Sequence, residues 1–119
     1  MEWITEEWNS TPHRVVPYLM TDLNSQLGAT DGAAVGREAG GTPNYIGIQM
    51  RTWLRDHNAA AINTFFHTGP TLVNKDGAKT IDYIIAPRAS LHFVEHCVTH
   101  ASRTKGVQST PYMTDHICV

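Results

Sequence analysis

Thr80-Ile81-Asp82-Tyr83-Ile84-Ile85-Ala86 (TIDYIIA, residues 80–86) is the stretch on which the reading of this chain turns. Isoleucine and tyrosine dominate it, and β-branched and aromatic side chains fit a pleated, half-buried surface. Pro87 follows at once and ends the run, so residues 80–86 predict a strand of ordinary length. One residue does not fit. Asp82 places a carboxylate inside an apolar strand, where it costs free energy unless something pairs with it. The strand that organises the fold therefore also predicts a polar site.

Working outward, Ala59–Phe66 (AAAINTFF) reads as a strand, followed by a turn at Gly69–Pro70. Leu72–Val73 predicts a short strand before the Asn74–Gly77 turn (NKDG). Ile46, Met50, Trp53 and Leu54 recur at helical spacing up to His57–Asn58, giving one amphipathic helix. Trp3, Ile4 and Trp8 do the same over Met1–Asn9, and Pro12 blocks continuation. Arg14–Met20 (RVVPYLM) has the length of a strand, with Pro17 implying an edge position or a bulge. Asp22–Tyr45 is rich in Gly, Ala, Thr and Asn and has no period, so it reads as a long loop of the kind that often carries function. Downstream, Leu91–Thr99 reads as a less regular strand, Ala101–Tyr112 as polar loop, and Ile117–Val119 as the start of a last strand. No repeat or linker interrupts the chain. The pattern is α+β: one mainly antiparallel sheet with flanking helices. So few helices leave one sheet face badly covered, as in half of a larger sandwich.

Composition narrows the function classes. The 119 residues are 41% hydrophobic and 17% charged, which fits one globular domain and excludes a disordered tail. A formal net charge of −2 excludes nucleic-acid binding driven by bulk charge. It does not exclude a phosphodiester cleft, because a bound cation reverses the local field. Cys97 and Cys118 lack metal-ligand spacing and read more economically as two free thiols than as a disulfide. The acidic start MEWITEEW lacks the apolar core of a secretory signal, and no run approaches the roughly 20 apolar residues of a bilayer span. A soluble, intracellular protein, nuclear or cytoplasmic, is expected.

Three short acidic motifs sit at predicted strand ends: Thr21-Asp22-Leu23-Asn24, Ile81-Asp82-Tyr83-Ile84 and Thr114-Asp115-His116-Ile117. Singly they are ordinary. Asp22 is the usual cap of a turn, and Asp115-His116 reads equally as a surface pair. Together they suit phosphodiester chemistry. Asp22 and Asn24, two apart in an extended strand end, share a side, so one accepts a proton from water while the other donates to a phosphate oxygen. His116 serves as acid or base if a carboxylate such as Asp82 fixes its tautomer. Asp115 offers a hard oxygen ligand for magnesium.

In order, spacing and flanking text these motifs resemble the endonuclease/exonuclease/phosphatase superfamily, in particular the endonuclease domains of non-LTR retrotransposons and their craniofacial-development-protein-like relatives. Thr21–Asn24 stands where that family has Gly-Asp-Phe-Asn, Met50–His57 (MRTWLRDH) where it has a helix after a Gly-rich loop, and Asn63-Thr64-Phe65-Phe66 where it has an Asn-Thr-Phe strand. Ile81–Ile84 is unchanged, and Thr114-Asp115-His116 replaces Ser-Asp-His. The resemblance spans nearly the whole chain but only the C-terminal half of the family's domain, a DNase I-like four-layer α/β sandwich. It implies a metal-dependent phosphodiester hydrolase acting on DNA, with Mg²⁺ or Mn²⁺ as cofactor. Asp22 would activate water, Asn24 hold phosphate, Asp82 orient His116, and Asp115 support the metal. None of Glu2, Glu6, Glu7, Glu38 or Glu95 stands in the context of the family's principal metal-binding Glu. The expectation is a weakly held metal, no significant activity of this chain by itself, and a missing N-terminal half-domain as partner. The alternative is a non-catalytic remnant of a retroelement or a truncated gene product.

A competing signal lies at His92-Phe93-Val94-Glu95-His96, the His-x-x-Glu-His pattern of inverted zinc metalloproteases, with His100 extending the four-residue spacing. On a helix these histidines share a face. In an extended segment His92 and His96 lie roughly 13 Å apart, too far for one ion. The extended reading makes them a solvent-facing strip.

Overall fold

Part-buried and buried side chains alternate along residues 82–85, Ala86 is buried as well, and the rest of the structure is arranged by the two faces that result. The computed structural model describes residues 1–29, 32–98 and, in backbone pairing alone, 115–116. Its elements are α1 (Glu2–Asn9), β1 (Leu19–Asp22), α2 (Tyr45–Asp56), β2 (Ala59–Ala61), β3 (Leu72–Asn74), β4 (Gly77–Lys79), β5 (Asp82–Pro87) and β6 (Asp115–His116). Short 3₁₀ turns cover Arg37–Ala39, Ile62–Phe65 and Arg88–Phe93.

The chain is α+β with antiparallel sheets, and the expectation of one sheet is corrected: among the described residues there are two, each three-stranded. β5 is the centre of the first, flanked by β1 and β2; β3 is the centre of the second, flanked by β4 and β6. A two-residue connection, Lys75–Asp76, joins β3 to β4, and Asn74 Oδ1 accepts the Asp76 N–H at 2.9 Å. The sheets meet at Thr71. Its buried hydroxyl accepts the Ile81 N–H at 3.0 Å and the Asp82 N–H at 3.1 Å, tying the start of β3 to the start of β5.

The core lies on one face of the first sheet. Tyr83, Ile85, Ala59 and Ala61 pack there against Met50, Trp53 and Leu54 of α2. Burying each large side chain contributes roughly 1.5–3 kcal/mol. Ile46 was expected in this stripe but is exposed; Gly47 takes its place, because any β-carbon there would run into the Gln26 carbonyl. Asn44 caps α2, its Oδ1 accepting from Gly47 N–H at 3.1 Å and from Ser25 Oγ at 2.6 Å. α1 has no fully buried residue and docks by its edge: Ile4 and Trp8 touch the core, Trp8 meets Trp53 edge-on at 5.2 Å, and Trp53 Nε1 donates to Thr5 Oγ1.

Several expected elements shift. The strand predicted at Arg14–Met20 forms instead at Leu19–Asp22, because Pro17 cannot donate to a ladder; its edge position is as expected. Only Ala59–Ala61 of the predicted 59–66 strand is extended before a 3₁₀ turn. The strand predicted at Leu91–Thr99 is replaced by the 3₁₀ turn Arg88–Phe93 and irregular chain to Val98. The long loop is not merely surface: Leu27, Ala34, Val35 and Ala39 are buried, and Val35 bridges Ala61 in parallel. The predicted loop Ala101–Tyr112 and strand Ile117–Val119 lie outside the described residues. Cys97 is a free thiol whose pKa burial pushes up; Cys118 also lies outside. Among the described residues no helix is long and apolar enough to cross a membrane.

Candidate functional site

The register of β1 on β5 places Asp22 directly opposite Asp82. Cross-strand partners project from the same face, so the two carboxylates share the side away from α2, next to Met20 and Ile84. Like charges in direct opposition are destabilising, and a cation nearby would relieve that. Asp22 is exposed and Asp82 half-buried.

Asp82 is held by its backbone from both sides. Thr71 Oγ1 takes its N–H, and Asn63 Nδ2 donates to its carbonyl at 3.1 Å. The same Asn63 accepts the Ile84 N–H through Oδ1 at 3.1 Å. Where β2 gives way to the 3₁₀ turn, a buried side-chain amide thus continues the hydrogen-bonding edge that a longer strand would have supplied. Next along the chain, the buried Tyr83 hydroxyl donates to the Thr80 carbonyl at 2.7 Å, faces the Ser25 carbonyl at 3.1 Å and accepts the Leu27 N–H at 3.0 Å. Burial raises the Tyr83 pKa well above its usual value; the Leu27 hydrogen bond opposes this and the charge of Asp82 adds to it.

Asn24 departs from its expected geometry. The strand ends at Asp22, and Asn24 has φ 52°, in the left-handed region that Asn tolerates. The two residues do not share a face by strand alternation. They are coupled by a turn in which Asp22 Oδ1 accepts the Asn24 N–H at 3.1 Å. Asn24 then lines a polar cleft of about 180 Å³ with Gln26, Thr42, Asn44 and Lys79. Leu72 lines it too, and Leu72 is the backbone partner of His116.

Asp115 and His116 form β6, with Val73 opposite Asp115 and Leu72 opposite His116. The topology brings their backbone to the residues next to Thr71, which holds Asp82; their side chains lie outside the described residues. The structure thus gathers Asp22, Asn24, Asp82 and the backbone of 115–116 around the junction of the two sheets. Sequence reasoning missed Thr71 and Lys79, which carry no motif, and took Asn63 only as part of a strand.

No group of three or more His, Cys, Asp or Glu side chains that could hold a metal exists among the described residues. His92 sits in the 3₁₀ turn, and the backbone is extended at Val94, so the helical face a zinc site at His92 and His96 requires is not formed. His100 lies outside the described residues. Comparison with protein-family models, with curated proteins and with solved structures gives no match to this chain.

Proposed function

We propose that this chain contributes the water-activating and phosphate-holding part of a metal-dependent phosphodiester hydrolase acting on DNA, as the C-terminal half of a DNase I-like four-layer sandwich. The observation that carries the reading is the opposition of Asp22 and Asp82 at the sheet junction, beside a cleft lined by Asn24 and Lys79 among others. An amide and an ammonium are donors for a phosphate oxygen. Asp22 would accept a proton from water, and Asp82, whose backbone is held by Asn63 and Thr71, would orient the His116 ring.

The donor set suits a hard cation in kind, since Mg²⁺ takes few carboxylates and fills its shell with water and substrate phosphate. It falls short in number among the described residues, which accords with weak binding. Asp115 is the residue that would hold the ion, close to Asp22 and Asp82 at the sheet junction. When bound it would lower the pKa of water and stabilise charge on the phosphoryl oxygens.

A titration with paramagnetic Mn²⁺, followed by amide NMR, tests the site. The Asp22, Asn24 and Asp82 resonances should broaden first, and Mg²⁺ should compete; uniform broadening over the acidic surface removes the site. A second reading, a non-catalytic remnant, is favoured by the lack, among the described residues, of a group of three or more side chains that could hold a metal. Both readings predict that residues 1–119 alone leave supercoiled plasmid intact with Mg²⁺. Nicking that disappears in Asp115→Ala and His116→Ala would show a complete enzyme instead.

A further inference from the structure

Away from the sheet junction, α1 and the segment leading into β1 enclose a cavity of about 180 Å³. Its half-buried floor is Ile4, Trp8, Pro17 and Leu19, and Trp3, Glu7 and Tyr18 stand exposed at its rim. Trp3 is 66% exposed and Tyr18 56%, so two large aromatic rings stay in water beside a pocket they could have closed. We propose that this pocket binds a quaternary ammonium head group. The proposal is independent of the phosphodiester reading.

Three observations select that ligand over a neutral apolar one. Trp3, Trp8 and Tyr18 all line one small space, and the negative face of an aromatic ring attracts a cation, Trp most strongly. Glu7 is the one charged side chain of the lining; Arg14, on the same connecting segment, is not part of it. The pocket also lies against the last turn of α1, which contains no basic residue that would repel a cation. The Trp8 wall is preorganised, because Trp8 is packed edge-on against Trp53 and Trp53 is fixed by its hydrogen bond to Thr5. The volume equals about six waters at roughly 30 Å³ each, enough for a trimethylammonium group and too little for a drug-sized ligand.

The test is titration of the full chain with choline chloride at constant ionic strength, followed by the indole N–H resonances of Trp3 and Trp8. The neutral carbon isostere 3,3-dimethylbutan-1-ol is run in parallel. Choline should saturate in the millimolar range and bind about fivefold more tightly than the alcohol, the order expected of partly exposed rings facing a cation. Trp3→Ala and Tyr18→Ala should each weaken choline binding by about fivefold with circular dichroism unchanged, as expected for exposed side chains. Glu7→Gln should weaken choline and leave the alcohol unaffected. A peptide carrying trimethyllysine, set against its unmodified form, shows whether the head group belongs to a polypeptide (tighter than choline) or to a free small cation (no tighter). Equal binding of alcohol and choline, no saturable choline shift, or a shift that survives both aromatic truncations overturns the proposal.

Discussion

Tyr83 joins the core to the loop that follows β1, because one phenol oxygen serves both. Its ring is buried among Leu27, Val35 and Leu54, while its hydroxyl satisfies Leu27 N–H and Thr80 C=O. Tyr83→Phe keeps the ring and strands both groups, which should cost about 1–3 kcal/mol, read as a lower urea midpoint with unchanged slope. Ionisation gives a second signature. Below about pH 10 the phenol is protonated in folded and unfolded chains alike, and the full stability is present. Above that pH the unfolded chain ionises first, because burial raises the folded pKa, so the folded state binds more protons and stability falls as pH rises. Stability measured from pH 8 to pH 11 should therefore decline more steeply for the native chain than for Tyr83→Phe; parallel curves would remove Tyr83 as the cause. The Ile81–Ile84 text names this tyrosine but does not reveal its partners, which are supplied by residues 25 and 27.

At the scale of elements, the helices were legible and the strands only roughly so. A 3.6-residue period is a local property, and both α1 and α2 form where Trp3, Ile4, Trp8 and Met50, Trp53, Leu54 predict them. Strand limits depend on partners. β2 stops at Ala61 because Thr64 Oγ1 turns back to the Ala61 carbonyl at 2.6 Å and opens the 3₁₀ turn, while the amide of Asn63 replaces the lost ladder. Asn63→Ala should therefore behave as the loss of two part-buried hydrogen bonds to the backbone, about 2–6 kcal/mol at 1–3 each. Amide exchange should quicken selectively at Ile84 and hardly at Ile48 in α2. Exchange that rises equally in both elements would mean that Asn63 acts on global stability alone. Gly36 has a similar dependence on fold: its β-carbon would collide with the Thr64 carbonyl, a contact between segments far apart in sequence.

At the scale of the whole molecule, the first sheet has one face packed on α2 and another that the described residues cover at one end, where Phe65, Phe66, Leu91 and Val94 gather round Ala60, Ile62 and Ala86. Met20, on the remainder of that face, is 78% exposed. Met20→Lys should change stability by no more than about 0.5 kcal/mol in this chain. A loss of about 2 kcal/mol in thermal or urea unfolding would show that something covers the face in solution. Composition and local pattern determined the α+β class, the two helices, the edge position of β1 and the polar conflict at Asp82, because each rests on residues within a few positions of one another. Only the tertiary structure decided that the strands form two sheets, that Asp22 stands opposite Asp82, and that Thr71 and Asn63 hold Asp82 in place. Those features depend on register and on hydrogen bonds between distant segments, and a single sequence carries no local signal for either.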